Sequence, residues 1–459
     1  MEPTFVPIDA RRFAIAFMFL AHIQFAAFII GIIDLAVVIE FFWILHPGQP
    51  KLDRLAHGLG KTAAIMYSVG ATFAFGAFFF LSIFWPVFFD IIMRATFWPF
   101  VLEAFTFILS LLYLFPWFFT WSGLERFKWV HLALGSALVI AFNLQQTMID
   151  VVASFMLTPT PSELFPRVFF NPTSVPLDLH RVIGDVSFAA FVVAGFSAFR
   201  TLRAREDGDR AYWDWVGSLA MVAALGFMYL QPLIGIEYVE EIRVNSSAGF
   251  DKMMRGQLSW LFIVQVFFLS VLFLLSIIYI LIQTRKSSRP GVPVLWVLLV
   301  IALLGSLLVV QPYVIGARQG YQWVNWINPI GSMQPWRYIG FAGQTLAAIF
   351  AVWIFIGAIR RRMRWGFLGQ GGQAAQYLLI TLAIFASFMM ALMGYIRENS
   401  RVPFIIFNNV TINERERFPQ QLPMPSQPTG PPSEPTSSYQ GTDAPVPEPE
   451  PLDRRGPAP

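Results

Sequence analysis

His22 sits inside an apolar run from Phe13 to Leu45 whose only other ionisable groups are Asp34 and Glu40. Ten residues into a helix, the imidazole lies roughly 15 Å from its start. It is costly in hydrocarbon unless something binds it. Further along stand Glu103, Asp150, His180, Asp185, Glu398 and Arg401, each inside or at the end of another apolar run. Imidazole and carboxylate at such positions ligate metals or carry protons. The sequence has no cysteine. Disulfides, thiolate metal sites, Fe–S clusters and covalently attached c-type haem are therefore excluded. Any metal must be held by His, Met, Asp or Glu.

The elements that position these groups follow from composition. Of 459 residues, 56% are hydrophobic and 13% charged, which is membrane composition. Hydrophobic runs fall at about 13–45, 62–93, 96–121, 129–157, 179–199, 213–236, 258–283, 293–315, 338–359 and 373–396. The run at 62–93 is long for one span and is expected to tilt or to bend at Pro86. These predict an all-α, polytopic transmembrane bundle of about ten helices in a lipid bilayer. No basic cluster sits beside aromatics as nucleic-acid binding would need, and no cleavable signal peptide is evident at the N-terminus.

The loops after odd-numbered runs carry the denser Lys and Arg, including Lys51, Arg54, Lys61, Arg126, Lys128, Arg200, Arg203, Arg285, Lys286 and Arg360–Arg362. The positive-inside rule then puts the N- and C-termini outside. The chain divides into an outer N-terminal segment (1–12), a transmembrane bundle (13–404) and an outer tail (405–459). From about Arg415 the tail is Pro-rich and is expected to be disordered.

With that topology, His22, Glu103, Asp150, His180, Asp185, Glu398 and Arg401 converge on the outer half of the bilayer. Asp34 and Glu40 lie deeper, as acids of a proton route from the inner side do. The convergence favours a cofactor, and haem suits the His, Met and carboxylate set. Other readings are open residue by residue. An intramembrane histidine can be a hydrogen-bonded structural group, and His180 can be interfacial. Glu398–Arg401 can be an i,i+3 ion pair. His46, His57 and His131 read as interfacial, and Met389, Met390 and Met393 as packing.

The chain resembles subunit I of cytochrome bd-type oxidases, from about Arg12 to Arg205 and again at Arg397–Phe404. The motifs are "RFAIAFMFLAH", with Arg12 ten residues before His22, "GLGKTAAIMYSVG" with Lys61, "FVLEAFTF" with Glu103, "DLHRVIGDVSFAAFVVAGFSAF" with His180, and "GYIRENSRVPF" with Glu398 and Arg401. The resemblance implies that His22 is the axial ligand of a high-spin haem, His180 a low-spin haem b ligand and Glu398 the ligand of a second high-spin haem. It places Arg401 on the propionate side, with Arg12 and Arg337 also at the cofactor, and gives Glu103, Asp34, Lys61 and Arg401 the catalytic and proton-handling roles. The cofactor is haem b, with haem d as the alternative at the oxygen site.

Three features depart from that pattern. Leu109 and Ser110 stand where the family has a second glutamate, with Asp34, Gln145 or Asp150 as candidate substitutes. The segment after the sixth run, "IEYVEEIRVNSSAGFDKMMRG", replaces a long quinol-binding loop. Ile339 or Gln257 occupies the place of the second low-spin ligand, with Met253, Met254 and Met333 nearby. The expected function is the haem-bearing subunit of a bd-like terminal oxidase in a bacterial inner membrane, reducing O2 to water. Its expected partners are a subunit II-like membrane protein and a cytochrome c or other haem subunit as electron donor, ahead of quinol. The alternatives are a haem electron-transfer subunit that does not reduce oxygen and a haem-free transporter, whose internal repeat would show only in the weak echoes "LQPLIGIEY", "VQPYVIGARQ" and "LMGYIRENSR".

Overall fold

A computed structural model describes residues 10–160, 167–254, 256, 258–287, 291–317, 335–361, 363–369 and 371–411, without the side chains of 311–317 and 335–336. Residues 1–9, Arg255, Gln257, Met333 and the Pro-rich tail lie outside the described residues.

Hydrocarbon offers no partner for backbone N–H and C=O groups, so an apolar run must close its hydrogen bonds within itself, as a helix does. α1 spans Ala10–Leu45 and α2 Pro50–Phe84. The long second run breaks at Pro86, which opens α3 (Pro86–Ala95) directly after the buried Trp85. α4 (Phe97–Phe119), α5 (Lys128–Leu157), α6 (Ser174–Arg203) and α7 (Asp207–Met228) follow. The segment expected as a loop after the sixth run is mostly helical. It forms the short α8 (Gln231–Asn245) and α9 (Ser247–Met254). α10 (Ser259–Thr284), α11 (Val292–Ala317), α12 (Pro335–Ile359) and α13 (Gly372–Ser400) complete the set. Among the described residues, 10 helical stretches are long and apolar enough to cross a membrane. They coincide with the ten runs, and the chain is an all-α, multi-pass membrane protein.

α6 is the central helix. Its most apolar window is 67% buried, against 17% for that of α2. Small residues let α1 and α13 close on it. A Cβ on Gly31 of α1 would lie 2.2 Å from the Asp185 carbonyl oxygen, and one on Gly195 of α6 would lie 2.5 Å from Ala383 Cβ of α13. One apolar core, with Ile32, Leu114, Trp117 and Leu138, fills the space between α1, α2, α4 and α5. Another, with Phe191, Met221, Phe273 and Phe355, joins α6 and α7 to α10, α12 and α13.

At the end where α1 finishes (the lower end), Asp214 of α7 is 1% exposed yet fully met. Its Oδ1 accepts from Gln283 Nε2 at 2.8 Å and Gln376 Nε2 at 2.8 Å. Its Oδ2 accepts from the Gly366 amide at 2.9 Å and Lys286 Nζ at 3.3 Å. Gly366 has φ +77° and lies so close to Ala211 that no side chain would fit. Burial pulls the Lys286 ammonium below its usual pKa, and Asp214 opposes that pull. At the other, upper end, β1 (Phe404–Ile406) and β2 (Val410–Thr411) pair as a hairpin around Asn408, whose φ is 59°. The Phe407 amide donates to Met156 O at 2.9 Å, fastening the hairpin to α5. The boundary expected at 404 falls inside this hairpin.

Gly31→Val is expected to destabilise the bundle by about 1–3 kcal/mol through overpacking, read as a lowered unfolding temperature in detergent. Gly226→Ala, with nothing within 4 Å of its added Cβ, is expected to stay within about 1 kcal/mol of wild type.

Candidate functional site

α5 carries Asn143, Gln146, Asp150 and Ser154 at helical spacing, so one polar stripe faces α1 and α6. Asp150, 0% exposed, pairs with Arg181 of α6. Arg181 and Asp185 are one turn apart, and the Arg181 charge acts on Asp150, Asp185, Arg397 and His22. The structure thus brings His22, Asp150, Asp185 and the α13 end together at the upper end. α13 runs alongside α1 there, with Gln24 Nε2 donating to Ser387 O at 2.9 Å.

His22 Nδ1 lies 3.2 Å from the Gly70 carbonyl oxygen of α2. A carbonyl only accepts, so Nδ1 carries the proton and a neutral imidazole keeps its lone pair on Nε2. Metal-binding histidines are commonly oriented this way.

His180 is walled by α8. Gln231 Nε2 donates to His180 O at 2.9 Å. A Cβ on Gly235 would touch His180 Cε1 at 3.3 Å. The Tyr238 ring lies 6.2 Å away, centroid to centroid and nearly parallel. His180 Nδ1 is buried with no hydrogen-bond partner. Arg397 Nε donates to Tyr238 Oη at 2.9 Å, and Arg397 Nη1 lies 3.4 Å from Glu398 Oε1. Glu398 also pairs with Arg401 and is 45% exposed. Arg397 Nη2 and Arg401 Nη1 are buried without an acceptor. Burial pulls the Arg401 guanidinium below its usual pKa; Glu398 opposes this and Arg397 adds to it.

Glu103 belongs to a separate branch. Its Oε1 accepts from Gln145 Nε2 at 3.2 Å, and Ser110 Oγ donates to Gln145 Oε1 at 3.3 Å. Tyr67 Oη lies 3.4 Å from Ser110 Oγ. Ser110, the departure from the family pattern, is therefore joined to Glu103 through Gln145. Asp34 accepts from Asn143 Nδ2 at 3.2 Å.

His131, expected as interfacial, is 1% exposed. It stands near a helix end, but its ring turns inward because Glu40 needs a partner. His131 Nδ1 lies 2.5 Å from Glu40 Oε1, and Nε2 lies 2.8 Å from Trp117 O. Trp117 Nε1 donates to Glu40 Oε2 at 3.1 Å. Trp117 O only accepts, so Nε2 is protonated, and the Glu40–Nδ1 contact needs one further proton shared between them. His46 and His57 are exposed, as expected for interfacial groups.

Lys61 is on the exposed face of α2 and is not brought to the other site residues. Arg12 lies in the first turn of α1, above His22. Arg337, 3% exposed, opens the α12 span beside Tyr338, which meets Glu240 of α8. Met253 and Met254 of α9 are buried in the apolar cluster that holds Tyr238 and Ile396. Lys252 donates to Val402 O, and burial pulls its ammonium below the usual pKa. Met389 and Met390 pack against the core, as expected.

Tyr238, Arg397, Arg181, Asn143 and Gln146 were not singled out as site residues from the sequence. The polar spacing along α5 was a usable signal for two of them. Nothing in the sequence marked Tyr238.

The donor set fits haem. Among the described residues no three His, Asp or Glu side chains group as a metal site. A porphyrin supplies four ligands itself and needs one or two from protein. Beyond the contacts with Glu398, Arg397 Nη2 and Arg401 Nη1 are buried without an acceptor, which porphyrin carboxylates would supply.

Asp150→Ala leaves Arg181 in the bundle without its closest counter-charge and is expected to cost about 3–5 kcal/mol. Asp150→Ala combined with Arg181→Met is expected to cost less than the sum of the two singles, measured by unfolding in detergent.

The model of the family described as cytochrome bd terminal oxidase subunit I matches residues 10–248. No curated protein matches the chain. Among solved structures, the chain is similar to one of the bd oxidase from Geobacillus thermodenitrificans, at 16% identity and a TM-score of 0.49, covering 85% of this chain and 96% of that chain. The family match takes in more than half of the sequence, and the chain belongs to the cytochrome bd terminal oxidase subunit I family.

Proposed function

We propose that this chain is the haem-bearing subunit of a bd-like terminal oxidase in a bacterial cytoplasmic membrane, reducing O2 to water with electrons from an outer-side donor. The observation that carries this reading is the upper-end cluster. There His22, with its Nε2 lone pair free, His180, with an unpartnered ring nitrogen, and Glu398, held between Arg397 and Arg401 that each keep one nitrogen without an acceptor, lie toward the same end of the bundle.

In this reading His22 and Glu398 ligate the high-spin haems and His180 the low-spin haem, all haem b or with haem d at the oxygen site. Haem iron with an open position supplies oxygen binding and reduction. Arg401 and Arg397 hold carboxylate side arms through their unpartnered N–H groups, with Arg12 and Arg337 at the outer rim. Met253 and Met254, packed with Tyr238, are the thioether candidates for the second low-spin ligand.

Glu103 is a proton carrier on a branch apart from the ligand residues, with Gln145, Ser110 and Tyr67 as its hydrogen-bonded chain. Glu40, His131 and Asp34 carry protons upward from the lower end. Lys61, on the outer face of α2, contributes charge near the membrane surface and not a step of this route.

The orientation with both termini outside is supported by the lower end. Lys51, Arg54, Lys128, Arg200 and Arg203 lie over Trp215, Tyr212, Trp43, Trp121, Trp213 and Phe199 there. Such basic and aromatic belts favour an inner membrane face. The little-buried faces of α2 and α4 are where a subunit II-like partner would pack. Two short helices, α8 and α9, in place of a long hydrophilic loop favour a cytochrome c or other haem subunit over quinol as donor.

The test is a reduced-minus-oxidised and a reduced-plus-CO spectrum of the purified protein. Wild type is expected to show low-spin haem and a CO-reactive component. His22→Ala is expected to remove CO reactivity, and His180→Ala to remove the low-spin band. Low-spin haem without CO or cyanide binding would make the chain an electron-transfer subunit. Absence of haem would sink both readings.

A further inference from the structure

Three residues of one α8 face meet His180: Gln231 at its carbonyl, Gly235 at the ring edge and Tyr238 across the ring plane. Their spacing of four and three residues puts them in one row of the helix. Tyr238 is 8% exposed and goes further than the other two. Its hydroxyl accepts from Arg397 Nε at 2.9 Å, and Arg397 in turn reaches Glu398 and acts electrostatically on Asp150. Arg401 faces the same carboxylate from the opposite side. Gly394, one turn before Glu398 on α13, offers no side chain of its own. A short bridge therefore runs His180–Tyr238–Arg397–Glu398 across α6, α8 and α13.

We propose that Tyr238 is a positioning residue that couples the two ligand sites. Its ring sets the plane of the His180 imidazole. Its hydroxyl holds Arg397, and Arg397 holds the Glu398 carboxylate between two guanidinium groups. A change at either ligand is thereby felt at the other. Arg397 has five N–H donors in a rigid fork, so it can bond Tyr238 and Glu398 at once, which a lysine ammonium does not reproduce. The inference rests on the haem reading given above.

The test uses the full protein in its native membrane complex, with four forms: wild type, Tyr238→Phe, Arg397→Lys and the double variant. Three readouts are taken: haem content, the midpoint potential of the low-spin component, and the CO difference band. Tyr238→Phe is expected to keep the haem content and the low-spin band position, because the ring remains. It is expected to weaken the CO band at least two-fold and to shift the low-spin potential. Arg397→Lys is expected to do the same, and the double variant to do no more than either single, as a shared link requires. If Tyr238→Phe is not recovered as folded protein, Arg397→Lys alone decides. Wild-type potentials and CO bands in the variants, or additive effects in the double, overturn the coupling while leaving the oxidase reading standing. A wild type without haem overturns the oxidase reading itself and this inference with it.

Discussion

A charge in hydrocarbon survives only beside its counter-charge, and this chain meets that constraint at the Asp150–Arg181 pair, where Asp150 is wholly buried and Arg181 is mostly so. Such pairs gain little net stability over apolar packing, but losing one partner is costly. Their effect is to fix register. α5 and α6 cannot slide past each other without separating the two charges. α1 is then set against α6 by the close approach at Gly31, and α13 by that at Gly195. His22 and Glu398 both come toward the upper end because the helices that carry them are both referred to α6.

The buried acids divide by how completely they are met. Asp214 takes four donors and leaves neither oxygen over, so it reads as a structural node. Asp150 and Asp185 each leave one oxygen without a partner, and Gln146 beside them leaves both its amide nitrogen and its oxygen. Native proteins seldom leave buried polar atoms unpaired. Where several gather on facing helices, they are free to bond groups that the polypeptide does not supply. Both ends keep unpartnered atoms, Gln283 Oε1 and Gln376 Oε1 among them at the lower end, but the incompletely met acids Asp150 and Asp185 face each other between α5 and α6.

Much of this was legible in the sequence because hydropathy and charge act along the chain. The ten runs became helices, and Pro86 broke the second of them. Depth was also legible, in that His22, His180 and Glu398 all fall toward the upper ends of their helices. Rotation about each helix axis was not. Depth alone made His131 interfacial, although its ring points inward to Glu40. Lys61, grouped with the catalytic residues through the family resemblance, is on the exposed face of its helix. Arg181 and Arg397 drew no attention as ion-pair partners because pairing across helices leaves no local trace. The segment containing Tyr238 looked like a loop because its charges masked a short helix lying against the bundle.

The Asp214 node bears on how the molecule is made. Its donors from Gly366 and Gln376 lie 152 and 162 residues later in the chain. At 5–20 residues per second, a ribosome needs roughly 8–30 s to reach them. Throughout that interval α7 is in place with an incomplete acceptor at its lower end. The emergence of the last described helix is therefore what completes the set of donors at the lower end. A nascent chain arrested before residue 366 holds Asp214 with two of its four donors still missing.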